Sequence, residues 1–103
     1  MLLYSVDTVP GKNIELMGLV QGSTVKSKHI GKDIMAGFRN IVGGEMKGYT
    51  EMLDDARNQA VARMKSQAEM LGADALIGVR YATSAITQGA AEILAYGTAV
   101  KFI

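Results

Sequence analysis

"YTEMLDDARNQAVARMKSQAEML", residues 49–71, is the segment on which the fold turns. Tyr49, Met52, Leu53, Ala56, Ala60, Met64, Ala68 and Leu71 recur at spacings of three and four, which lays a continuous apolar stripe along one face of an α-helix. Glu51, Asp54 and Asp55 crowd the expected start, where free backbone N–H groups favour carboxylates. Arg63 and Lys65 come later, and Gly72 stands where the chain must leave the helix. At 1.5 Å per residue such a helix is a rod of about 34 Å, long enough to lie across a β-sheet.

The flanking sequence supplies that sheet. Downstream, "ALIGVRYATSAI" (75–86) and "AEILAYGTAVKFI" (91–103) are rich in β-branched and aromatic residues, and "TQGA" between them is a polar turn, so the pair predicts a β-hairpin. Upstream, "IELMGLVQGSTVKS" (14–27) alternates with period two and predicts a strand, in which Gly18 and Gly22 suggest a bulge or a bend. "MLLYSV" (1–6) is a candidate short strand that runs into a turn at Pro10-Gly11. Ile30, Ile34, Phe38 and Ile41 share one helical face, which predicts a short helix with Gly43 as its cap. The expected architecture is a single α+β domain over residues 1–103, in the order β-α-α-β-β. An antiparallel sheet packs on one long helix plus a short one.

Composition points to assembly. Setting aside the four tyrosines and counting the twelve glycines raises the apolar fraction from 49% to about 56%, above the roughly 45–50% usual for soluble domains. The hairpin shows where the surplus lies. Ala75, Ile77, Val79 and Tyr81 alternate with Leu76, Gly78, Arg80 and Ala82, while Ile93, Ala95, Gly97 and Ala99 alternate with Leu94, Tyr96, Thr98 and Val100. Neither phase is polar, although a solvated antiparallel sheet shows one polar side. The long helix covers one face, and the other needs either the short helix or a neighbouring copy of the chain, of which the neighbouring copy is expected.

The chemistry-bearing residues are sparse. Eleven basic residues against ten acidic give a net charge of +1, which offers no field for nucleic acid. No apolar run reaches the length of a membrane span, and the start has no basic leader, so a cytoplasmic protein is expected. Cysteine is absent, which removes thiolate nucleophiles and thiolate metal sites. His29 is the only histidine and the only weak metal candidate, and one chain cannot complete a zinc shell around it. Asp54 and Asp55 are adjacent on the helix, so their side chains diverge by about 100° and cannot act as a close carboxylate pair. No catalytic constellation and no cofactor motif emerge, and no enzyme activity is expected. "GGEMKG" (43–48) precedes the long helix, which makes Gly43, Gly44, Gly48 and Tyr49 the candidate ligand-binding residues, since a helix N-terminus offers backbone N–H groups to an anion. The stretch lacks the Lys-Ser/Thr of a P-loop, and Glu45 with an acidic first turn would repel an anion, so a plain link between helices is the simpler reading.

"GKDIMAGFRNIVGGEMKGYTEMLDDAR", "SQAEMLGADALIGVRY" and the terminal "YGTAV" together resemble the YbjQ-like family of small bacterial proteins, which carries a heavy-metal-binding label. The resemblance spans nearly all of the chain after residue 14. Its most specific parts are Ile41-Val42-Gly43-Gly44 with Tyr49, the junction Leu71-Gly72-Ala73-Asp74-Ala75, and Gly97-Thr98-Ala99-Val100. It implies an α+β subunit assembled as a ring, a homopentamer, and supplies no activity that can be placed on a residue. The expected function is a non-enzymatic homo-oligomer of unknown biochemical role, a binding or scaffold ring whose partner is itself. The alternative is a metal or small ligand held at subunit interfaces or on the ring axis.

Overall fold

The computed structural model describes residues 1–27, 41–42, 45–87 and 89–103. Its elements are β1 (Leu2–Leu3), β2 (Ile14–Ser27), β3 (Ile41–Val42), β4 (Glu45–Met46), α1 (Lys47–Met70), β5 (Ala75–Thr87) and β6 (Ala90–Phe102). The main sheet has the order β1-β5-β6-β2. β6 runs antiparallel to both β5 and β2, as the hairpin reading expects. β1 lies parallel to β5, with Leu2 opposite Ala75 and Leu3 opposite Leu76, so the sheet is mixed rather than antiparallel throughout. A two-residue strand carries no periodic signal, and its direction is set by where the chain enters the sheet.

A further departure lies before the long helix. Ile41 and Val42, expected as the end of a short helix capped at Gly43, are instead a strand paired with Met46 and Glu45. The rest of that short helix, residues 30–40, lies outside the described residues, as does Gly43. β-branched Ile-Val is at ease in an extended backbone, and a pairing of two residues is beyond what a helical period can sense. α1 itself begins at Lys47, two residues earlier than the apolar stripe, so no acidic residue falls in its first turn.

α1 packs on β2 and β6 through the residues its stripe marks. Met52, Ala56, Ala60, Met64 and Ala68 are buried, and Leu71, past the helix end, is exposed. Ala56, Ala60, Met64 and Ala68 meet Val20 of β2, Ile93, Ala95 and Ala99 of β6, and Leu76 of β5. The approach is close because of one residue. A Cβ built on Gly22 would overlap the carbonyl oxygen of Ala60 and the amide nitrogen of Met64, and would stand 2.8 Å from Arg63 Cβ. Gly22 is therefore not a bend but the place where helix backbone rests on strand backbone. Gly18, with φ 135°, does sit at a bulge, where the register of β2 against β6 slips between Leu16 and Gly18.

The helix closes with a Schellman turn. Gly72 N–H donates to the Glu69 carbonyl at 3.0 Å and Ala73 N–H to the Ala68 carbonyl at 3.1 Å, with Gly72 at φ 80°. Lys101 Nζ donates to the Gly72 carbonyl at 3.1 Å and ties the turn to β6. On the side of the sheet away from α1, Val9, Ala75, Ile77 and Val100 form a second small cluster, with Tyr4, Ile14 and Phe102 beside it. The N-terminal segment thus covers one end of that far face.

Candidate functional site

The expected site residues do not assemble a pocket. Gly43, Gly44 and His29 lie outside the described residues. Gly48 and Tyr49 are the second and third residues of α1. The acidic first turn expected to repel an anion there is absent, with Glu51 in the second turn and Glu45 just before the helix. Asp54 is exposed and bonded to Arg57 at 3.0 Å, one i,i+3 pair on the solvated side of the helix, of a kind that contributes little. Among the described residues no three histidine, cysteine or carboxylate side chains come together to hold a metal ion. Among them, too, no helix is long and apolar enough to cross a membrane.

What the structure offers instead is surface. Direct cross-strand partners share a face, so the pairs Leu16–Val100, Leu19–Thr98, Gln21–Tyr96, Ser23–Leu94 and Val25–Glu92 all lie on the side away from α1. Leu16 and Leu19 are each 69% exposed and Val25 57%. Leu94 and Tyr96 are half-buried between their neighbours. The N-terminal segment covers only the end of this face around Val9, Ala75 and Ile77. On the rest, Leu16, Leu19, Val25, Leu94 and Tyr96 stand among the polar Gln21, Ser23 and Thr98, with Arg80 and Glu92 as the charges on β5 and β6.

β5 takes part through a change of phase. Gly78, at φ 59°, and Val79 together face a single partner, because the register slips between Ile77 and Arg80. Ala75 and Ile77 are thereby followed on the far face by Arg80 and Ala82, while Tyr81 and Thr83 move to the α1 side. Strict alternation through the strand puts Val79 and Tyr81 with Ile77, so the sequence reading of this strand fails past the bulge. Gly78 was the signal available.

The two rims of the sheet differ. On β2 two outward groups are taken by α1: the Gln21 N–H donates to Gln67 Oε1 at 2.7 Å, and Arg63 Nη1 donates to the Ser23 carbonyl at 2.5 Å. Four helix residues rise about 6 Å and two strand residues about 6.8 Å, so side chains four apart on α1 match successive outward groups on the strand. On β5 the N-terminal segment occupies the first part of the rim. Tyr4 N–H donates to the Leu76 carbonyl at 2.8 Å, and the Gly78 and Val79 amides donate to the carbonyls of Val6 and Tyr4, each at 2.9 Å. Arg80 Nη1 donates to the Ser5 carbonyl at 2.8 Å and marks the end of that cover. From Arg80 to Thr87 every residue is exposed, and no strand among the described residues pairs with the outer side.

Comparison with known proteins bears on what kind of chain carries this surface. The family model described as "Putative heavy-metal-binding" (YbjQ_1) matches residues 1–103. A UPF0145 protein of Hahella chejuensis is 62% identical over 101 residues, covering 97% of each chain. A UPF0145 protein of Vibrio parahaemolyticus is 55% identical over 104 residues, covering 100% of this chain and 99% of its own. One from Thermotoga maritima is 58% identical over 102 residues, covering 98% and 96%. Among solved structures, a Pediococcus pentosaceus protein of unknown function, assigned to the DUF74 family, superposes with a TM-score of 0.69. It is 17% identical and covers 100% of this chain and 98% of its own, a likeness of fold. With the family model matched end to end and relatives identical at more than half of their positions, this chain belongs to the YbjQ-like, UPF0145 family.

Proposed function

We propose that the chain is the repeating subunit of a non-enzymatic, cytoplasmic homo-oligomer, a binding or scaffold ring, and that the face of the sheet away from α1 is where copies meet. The observation that carries this reading is the area left uncovered. The chain exposes 6686 Å², whereas a compact monomer of its 11.0 kDa mass exposes about 5,600 Å². The excess of about 1,000 Å² exceeds the roughly 800 Å² that each partner contributes to a standard interface. The radius of gyration supports the same point: it is 16.9 Å, against about 13 Å for a compact chain of this length. Leu16, Leu19 and Val25 give the uncovered face the aliphatic character of a subunit contact.

The resemblance implies five copies. Native mass spectrometry at micromolar concentration tests this, with an expected mass of five times 11.0 kDa; the mass of a single chain would overturn the reading. The description of the matching family favours one second reading, a metal or small ligand held where copies meet. The same spectra, recorded after equilibration with zinc, would show it as added mass on the assembly.

A further inference from the structure

The two rims of this sheet are chemically unlike, and the difference says how copies join. The β2 rim is closed at Gln21 and Ser23 by side chains of α1. The β5 rim is covered as far as Val79, and from Arg80 to Thr87 no strand among the described residues pairs with its outer side. Eight residues of strand extend about 26 Å. They read Arg-Tyr-Ala-Thr-Ser-Ala-Ile-Thr, with one charge at the covered end and no proline. Folded proteins blunt such rims with lysines, prolines, short length or a covering element. Among the described residues, the β5 rim past Arg80 has only the register slip between Ala85 and Thr87. The same molecule covers part of its other rim, at Gln21 and Ser23, with two side chains of α1.

We infer that the outer rim of β5 from Arg80 to Thr87 accepts a strand from a second copy of the chain, joined by main-chain hydrogen bonds. The inference rests on the assembly reading above and adds the mode of contact to it. The occupant is another copy because the chain as a whole exposes more surplus area than one partner contributes to a standard interface. The rim also offers no charge pattern to a charged partner, and Leu16, Leu19 and Val25 widen the contact beyond the strand itself. The incoming strand is not the β2 stretch between Gln21 and Ser23, whose outward groups are already bonded to Gln67 and Arg63.

Residue-resolved hydrogen exchange on the intact protein tests this, with the mass of the same sample recorded alongside. In a rim strand, alternate amides point away from the sheet and exchange freely; with a strand added, both sets are bonded. Consecutive amides from Tyr81 to Ala85 are expected to be protected without alternation in the assembled protein. The outward set should slow by at least about tenfold relative to the chain diluted to a monomer, the factor supplied by one hydrogen bond at the upper end of its net strength. An assembled protein in which the fast–slow alternation persists would overturn strand addition and leave assembly through the face standing. A single-chain mass in the undiluted sample would overturn the assembly reading and this inference with it.

Discussion

The half of the sheet beneath α1 and the outer stretch of β5 belong to one continuous hydrogen-bonded layer, yet they are built on opposite rules. Under the helix, small residues let backbones close on each other. Gly22 takes the weight of the Ala60–Met64 turn, Ala95 and Ala99 line the strand beside it, and Gln67 and Arg63 reach over the rim to bond its outward groups. Along β5 beyond Arg80, side chains on both faces are exposed and the outer backbone has no partner among the described residues. The lesson is that one helix completes the sheet only where it rests, over β2 and β6, and leaves the outer stretch of β5 exposed on both faces.

That contrast can be broken at its stronger end first. Gly22→Ala should cost about 3 kcal/mol, because the added methyl meets helix backbone that no rotamer change can move aside. The melting temperature should then fall by roughly 10 °C or more. An unchanged melting temperature would mean that the helix does not rest on Gly22. Gln67→Ala should be milder, at about 1 kcal/mol, since one partly solvated hydrogen bond is lost. Its sharper signature is faster exchange of the Gln21 amide, with the Val20 and Gly22 amides unaffected. If the Gln21 amide keeps its rate, the β2 rim is not closed by the helix. Leu19→Lys should change the stability of the isolated chain by less than about 0.5 kcal/mol, as an exposed position far from the helix contacts.

Much of this was legible in the sequence, for identifiable reasons. β2 spans Ile14–Ser27, the stretch its alternation marks, and β6 turns Ile93, Ala95 and Ala99 toward α1 as a single unbroken phase. The long helix follows its stripe from Met52 to Ala68 because period 3.6 survives over many turns. Short or compensated features were not legible. β1 and the β3–β4 pair are two residues each, too brief for any period, and tertiary pairing alone decides them. Val79 changes face because a bulge adds one residue, and Gly78 hints at a bulge without fixing its direction. Arg63 looks like a charge on a solvated helix face, and only the fold brings it to the Ser23 carbonyl, 40 residues away in the chain. Of the candidate site residues, Gly48 and Tyr49 fall in the first turn of α1, and His29, Gly43 and Gly44 lie outside the described residues. The apolar surplus was visible in the composition, and the fold shows the face on which it falls.

We propose that copies of the chain meet on the face bearing Leu16, Leu19 and Val25. Light scattering on the wild-type chain and on Leu19→Lys, at the same micromolar concentration, tests it most directly. The wild type should show a multiple of 11.0 kDa and the variant a smaller species with the same circular dichroism. A wild-type chain at the single-chain mass, or a correctly folded variant that keeps the wild-type mass, would contradict it.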